Sequence, residues 1–339
     1  MITLKKLAEE LNVSISTVSK ALNDSSEISF ETINKVKNLA EKYNYRPNKA
    51  ALSLKSNRTL TIGVVIPDIL NRFYSKVLSG IHYSADKHGY DVITITTNES
   101  MLKEIDSLQI LSRGTVDGVI IAMSEETLNK NDYSHIKEFT MKQTPIVMFD
   151  RVTDKINCDK VIIDDFDAIY NEVKSLKALG RKKIGFITTI NDLNVGKFRA
   201  NGFRKASFDF FNKFDKNLIL RISKNHDKHQ EIEKFIKRNK PDAIISADII
   251  CGVISINIAR NLNIKIPESL SVVGFGDKTI SEYSCPKLTT IYQHGKEIGN
   301  RSVELLVDRM NSKWYGLNKN LNTYTTDIIP TLTIGGSSK

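Results

Sequence analysis

The sequence predicts a small all-α head with a helix-turn-helix layout, followed by an α/β core of two lobes with parallel sheets flanked by helices. Three observations predict it. Residues 1–58 follow a 3.6-residue apolar period and contain no glycine. From Thr59 onward, short continuous apolar runs alternate with amphipathic stretches, the pattern of buried parallel strands and their crossover helices. The runs are too many for one comfortable sheet and divide into two sets near residue 162.

In the head, Thr3 suits the cap of a first helix with Leu4, Leu7, Ala8 and Leu11 on one face. Asn12-Val13-Ser14 breaks it. Ser14 then caps a second helix, from Ile15 to about Leu22, with Val18, Ala21 and Leu22 inward. After a loop at Asn23-Asp24-Ser25-Ser26, Ser29 caps a third helix that turns Ile33, Val36, Leu39, Ala40 and Tyr43 inward. Asn44 stops it and Pro47 excludes its continuation. Two helices joined by a three-residue turn and braced by a third match the layout that lays its second helix in a DNA major groove. That helix shows Ile15, Ser16, Thr17, Ser19 and Lys20 outward. Hydroxyls bond phosphates or base edges, an isoleucine packs on a thymine methyl, and a lysine reaches a guanine edge or a phosphate. A three-helix bundle with a solvated polar face has the same periodicity, so pattern alone leaves the two readings even.

In the core, strand-like runs fall at 62–66, 90–96, 118–122, 146–150, 160–163, 184–188, 243–246 and 270–275. Helical stretches lie at about 73–88, 101–113, 166–179, 197–212, 228–239 and 250–261. Asp164-Asp165 suits the cap of the helix that starts near Phe166. A helix over 294–310 is expected to return to the first lobe, and the stretch 325–334 to the second. The organisation is then a helix-turn-helix domain over 1–46, a hinge and linker over 47–59, and a body over 60–339. Its N-lobe takes about 60–161 and 292–323, and its C-lobe about 162–291 and 324–339. Ligands bind beyond the carboxyl ends of strands in open α/β sheets, and two facing lobes gather those ends into one cleft.

Composition excludes several classes. The 40% hydrophobic and 26% charged residues are an ordinary globular balance, against disorder or a disulfide scaffold. Cys158, Cys251 and Cys285 form no C-x-x-C, which fits a reducing compartment and argues against a zinc ribbon. The N-terminus meets charge at once, and no run approaches about 18 apolar residues. A cytoplasmic protein without a membrane anchor is expected. The net charge is +10, and residues 1–58 hold ten Lys/Arg against six Asp/Glu. That excess permits a polyanionic partner without identifying one. No phosphate-binding glycine loop and no G-x-S-x-G elbow occurs, and His226 and His229 lack a third ligand. No enzyme, metal or cofactor is expected.

Specific strings then carry a resemblance. Thr3-Leu4-Lys5-Lys6-Leu7-Ala8, Val13-Ser14-Ile15-Ser16-Thr17-Val18-Ser19-Lys20-Ala21-Leu22-Asn23 and Tyr45-Arg46-Pro47-Asn48 closely resemble the head of the LacI/GalR transcriptional repressors. The resemblance continues through Ile62-Gly63-Val64-Val65-Ile66-Pro67-Asp68, Val272-Val273-Gly274-Phe275 and Leu288-Thr289-Thr290-Ile291. It implies a homodimeric repressor on a pseudo-palindromic DNA operator, with a periplasmic-binding-protein-like body whose cleft takes a small effector, a sugar or sugar derivative. The implied DNA-binding residues of the head are Thr3, Ser14, Ile15, Ser16, Thr17, Ser19, Lys20 and Asn23. Lys20 stands where the family more often has Arg, and it lacks the planar fork that pairs bidentately with guanine.

Residues 48–55 resemble the family's hinge helix, with Asn48 as cap and Ala51 and Leu54 at the DNA. Leu54 matches an apolar wedge pushed between base steps from the minor groove. So short a helix is unstable alone and is expected to form only on DNA beside its twin. Read without the family, the stretch is a plain linker. The implied effector residues are Asn71, Phe73, Ser124, Asp150, Arg199, Asp277 and Gln293. Arg199-Ala200-Asn201-Gly202-Phe203 resembles the family's R-x-x-G-F. Two departures put the sugar's identity in doubt: Ala247-Asp248 replaces an Asn-Asp pair, and Gly276 precedes Asp277 where some relatives carry an acid. Lys197 and Arg199 would suit an anionic ligand. The dimer surface is expected near helices 73–88 and 250–261. The alternative is a small-molecule binding protein without regulatory DNA binding, which would be expected to carry a signal peptide.

Overall fold

A computed structural model describes residues 3–45, 58–142, 144–223, 225–312 and 323–338. The chain divides into two compact units, Met1–Thr59 and Leu60–Lys339. The first unit holds helices Leu4–Glu10, Ile15–Leu22 and Phe30–Lys42. Each starts where a hydroxyl side chain takes an orphan backbone N–H: Thr3, Ser14 and Ser29 accept from Lys6, Thr17 and Thr32. Their shared core is Leu7, Ala8, Val18, Ala21, Val36 and Ala40. Tyr43, expected inward, is 40% exposed and caps the third helix, its hydroxyl donating to Glu10 at 3.0 Å. A phenol finds a carboxylate partner at the rim more readily than in so small a core. The expected hinge residues Asn48, Ala51 and Leu54 lie outside the described residues.

The described residues of the second unit hold twelve strands. They are β1 Thr61–Ile66, β2 Asp91–Thr96, β3 Gly118–Ile121, β4 Ile146–Phe149, β5 Asp159–Ile163, β6 Ile184–Thr188, β7 Ile219–Arg221, β8 Ala243–Ser246, β9 Ser271–Gly276, β10 Thr289–Tyr292, β11 Thr325–Ile328 and β12 Thr331–Thr333. One sheet runs β11-β5-β4-β3-β1-β2 and is parallel throughout. The other runs β12-β10-β9-β8-β6-β7 and is parallel except for β12. Central strands are buried along nearly their whole length because helices cover both faces.

The structure corrects the lobe boundaries. β5 belongs entirely to the first sheet, so the first crossing follows Ile163. The stretch 325–334 does not go whole to the second lobe. Thr325–Ile328 pairs with β5, and only Thr331–Thr333 joins the second sheet, antiparallel to β10. Pro330, which has no N–H to give a ladder, separates the two. Asp159 anchors the first part: it accepts two bonds from Arg309, at 2.6 and 2.8 Å, and one from the Tyr324 N–H at 2.7 Å.

Two helix pairs brace the lobes, and glycine makes both possible. Helix Gly295–Asn311 lies against helix Arg72–Lys87 in the first lobe. A Cβ on Gly80 would sit 2.1 Å from the Lys296 carbonyl oxygen, and one on Gly299 2.1 Å from that of Val77. In the second lobe, helix Asn194–Phe211 packs on helix Asp165–Ala178, where a Cβ on Gly202 would sit 2.3 Å from the Phe166 carbonyl oxygen. Asp164 caps the latter helix, accepting from the Asp167 N–H, while Asp165 turns to other work. No described helix is long and apolar enough to cross a membrane.

Candidate functional site

The second helix of the head presents Ile15, half exposed, with Ser16 and Lys20 also exposed and Ser19 partly so. Ser14 and Thr17 share a 2.8 Å hydroxyl contact at the helix start, and Ser14 accepts the Thr17 N–H at 3.0 Å. Asn23 ends the helix and its amide donates to the Ser19 carbonyl at 2.8 Å. Thr3, Ser14 and Asn23 thus set the ends of helices, while Ile15, Ser16 and Lys20 form the open face. The Lys20 ammonium is held by Glu27 in an exposed ion pair.

In the second unit, a cleft of about 380 Å³ opens between the carboxyl ends of the two sheets' strands. Asn71, Phe73, Asp150, Arg199, Asp277 and Gln293 all line it. Asn71 caps helix Arg72–Lys87 by accepting the Phe73 N–H at 3.0 Å, which leaves its amide NH2 outward. Asp150 sits just past β4 in a left-handed conformation, φ 58°, and accepts from the Tyr74 hydroxyl at 3.1 Å. Burial pushes the Asp150 carboxyl above its ordinary range, against the pull of Arg151 and Arg199. Tyr74, buried beside it, is pushed well above the usual phenol value for the same reason.

The cleft's cations are already engaged. Arg199 donates from Nε to Asp165 at 2.7 Å and from Nη1 to the Ala247 carbonyl at 2.7 Å, and lies 3.6 Å over the Phe275 ring. Burial raises the Asp165 carboxyl to about 6 despite this partner. Arg151 forms a fork with Glu99 at 2.6 and 2.9 Å. Arg72, from the first lobe, stands 3.9 Å from Asp277 of the second. Gln293 is 8% exposed and lines the cleft. Asp248 caps helix Ile249–Asn261 and accepts from Thr189 at 3.0 Å.

Ser124 is a correction. It does not line the cleft but is fully buried, capping helix Glu125–Lys130. Its N–H donates at 2.5 Å to Glu104, a buried carboxylate that also accepts from Thr127 and from the His135 ring, at 2.9 and 2.8 Å. Glu104 demands donors because an unpaired buried carboxylate is costly, and Ser124 is drawn into that cluster. Sequence reasoning also missed the aliphatic wall formed by Ile190, Leu193, Ile249, Ile250 and Ile280. Its only signal is position after β6, β8 and β9.

The architecture is a two-lobed α/β body with an interlobe cleft, preceded in sequence by a helix-turn-helix unit. Residues 59–329 match the family of periplasmic binding proteins and sugar binding domain of LacI family, and residues 3–48 match the bacterial regulatory proteins of the lacI family. The HTH-type transcriptional regulator DegA of Bacillus subtilis (strain 168) is 33% identical over 299 residues, 88% of either chain. RegA of Clostridium saccharobutylicum is 32% identical over 316 residues, 92% of this chain and 93% of its own. Among solved structures, the Lac repressor dimer bound to operator and the anti-inducer ONPF matches with a TM-score of 0.84 at 22% identity, over 99% of this chain and 98% of that one. A LacI family regulator from Enterococcus faecium with bound ribose matches with a TM-score of 0.68 at 25% identity, over 82% and 98%. The chain belongs to the LacI family of bacterial transcriptional regulators. It is a DNA-binding regulator with a sugar-binding-type domain, not an enzyme.

Proposed function

We propose that the protein is a cytoplasmic, homodimeric repressor that reads a pseudo-palindromic operator, and that an uncharged carbohydrate in the cleft changes its hold on DNA. The observation that carries the ligand class is the state of the cleft's charges. Asp68, Asp150, Asp248 and Asp277 line it, while Arg151 and Arg199 are tied to Glu99 and Asp165. Acceptors and the Asn71 and Gln293 amides suit vicinal hydroxyls, and Phe73 with the aliphatic wall suits the apolar face of a ring. A phosphorylated sugar would meet carboxylates with no uncommitted buried cation, which argues against the anionic ligand that Lys197 and Arg199 invite. The ribose in the Enterococcus faecium relative supports the neutral class.

In this reading Ile15, Ser16, Ser19 and Lys20 contact the major groove, with Thr3, Ser14, Thr17 and Asn23 holding the helix ends and reaching phosphates. Asn48, Ala51 and Leu54 form the hinge contact in the minor groove. The dimer surface lies near helices Arg72–Lys87 and Ile249–Asn261. The ligand acts through its different affinity for two lobe arrangements, and the arrangements differ in how they space the paired linkers. The test is a gel shift on the DNA upstream of the protein's own coding sequence, with neutral sugars and their phosphates added in parallel. A neutral sugar alone should alter the shift. An effect of the phosphates alone would overturn the ligand class.

A further inference from the structure

The segments that cross between the lobes meet around a second cavity of about 460 Å³, which shares no lining residue with the cleft. Asp164 comes from the first crossing, Ile291 from β10 just before the second, and Ile329-Pro330 form the third. Glu172, on helix Asp165–Ala178, also lines it. Glu172 is only 6% exposed and has no hydrogen-bond or ion-pair partner among the described residues. Three more carboxylates, Asp164, Asp167 and Asp327, border the cavity and are exposed, and no lysine, arginine or histidine lines it. Asn171 and Ser175 add two polar side chains to the wall, and Ile328 and Leu332 beside Ile291 give it an aliphatic side.

A carboxylate that is 6% exposed and bonded by no described protein group favours a cation or a donor in the cavity it lines. Among the described residues no three acidic, histidine or cysteine side chains are grouped to hold a metal ion. An alkylammonium fits differently: the head pairs with Glu172 and the chain covers the isoleucines and Leu332. We propose that this hinge cavity is a second ligand site that takes a small aliphatic amine or diamine in its ammonium form. In a diamine, the second ammonium faces the exposed carboxylates of Asp164 and Asp327. The inference stands independently of the reading of the cleft.

The test uses the full chain and 1,5-diaminopentane near pH 8, where Glu172 is ionised, at matched ionic strength. Magnesium chloride and 1,5-pentanediol serve as controls. The diamine should raise Tm with the logarithm of its concentration and give saturable heat in calorimetry. The diol should do neither. Glu172→Gln should weaken the diamine at least about tenfold, and the exposed Asp327→Asn a few-fold; the latter reads the site even if the buried variant folds poorly. Equal shifts from magnesium, full binding by both variants, or no saturable heat up to about 10 mM would each overturn the proposal.

Discussion

Lys20 in the free head is held by Glu27, and both side chains are exposed. In the proposed DNA contact, that pair must break before the ammonium reaches a phosphate or a guanine. Glu27→Gln should therefore raise operator affinity a few-fold at low salt, because exposed pairs contribute about 0–1 kcal/mol. An anisotropy titration at two salt concentrations checks it, and the gain should shrink as salt rises. Two cleft residues should separate by kind. Arg199 is 4% exposed and paired with Asp165, so Arg199→Ala should destabilise the body by about 3–5 kcal/mol in urea unfolding. Asp277→Asn keeps the oxygen that accepts the Thr279 N–H, so it should leave stability nearly intact while weakening effector binding at least about tenfold.

Glu172 adds a pH signature at the same scale. Burial raises its carboxyl from about 4.5 to about 7. The folded state then holds a proton that the unfolded state releases, so its contribution is complete below about 4.5 and is lost as pH rises to about 7. The loss is at most about 3 kcal/mol. Glu172→Gln should be more stable than the parent at pH 8 without added amine, and nearly equal to it at pH 4.5, by urea unfolding. A parallel pair of curves would contradict the assignment.

At the scale of elements, two glycines set the first lobe. The helices Arg72–Lys87 and Gly295–Asn311 touch backbone to backbone at Gly80 and Gly299. Gly80→Ala places a methyl against a carbonyl that cannot swing aside, so it should cost about 3 kcal/mol or more. Gly89→Ala, a glycine at φ +75° with open space around it, isolates the purely conformational penalty and should cost less. Elements were legible in the sequence where their cause is local. Thr3, Ser14 and Ser29 announce three helix starts because a cap bonds within three residues. The central strands announce themselves as unbroken apolar runs. β7 and β12 are three residues each and carry no pattern, and β11 and β12 are told apart only by partners more than a hundred residues away or forty residues back. Asn71, Asp150, Asp277 and Gln293 could be placed because each follows a strand. Ser124 follows one too, but Glu104, buried twenty residues earlier, claims it. Nothing local reports a buried carboxylate, and Ile190 or Ile249 reads as core until the facing lobe is known.

In the whole molecule, residues 47–59 join the helix-turn-helix head to the two-lobed body along the chain. With Leu54 as the proposed minor-groove wedge, Leu54→Ala should weaken specific operator binding at least about tenfold and leave effector binding unchanged. Equal loss in both assays would remove the hinge from the account. The most direct measurement is an anisotropy titration of the intact protein on its upstream duplex and on a scrambled duplex of equal length, at physiological salt. Saturation is expected at two chains per upstream duplex, with at least about a thousandfold preference over the scrambled one and a change in that preference on adding a neutral sugar. Binding of single chains to both duplexes with equal strength would contradict that expectation.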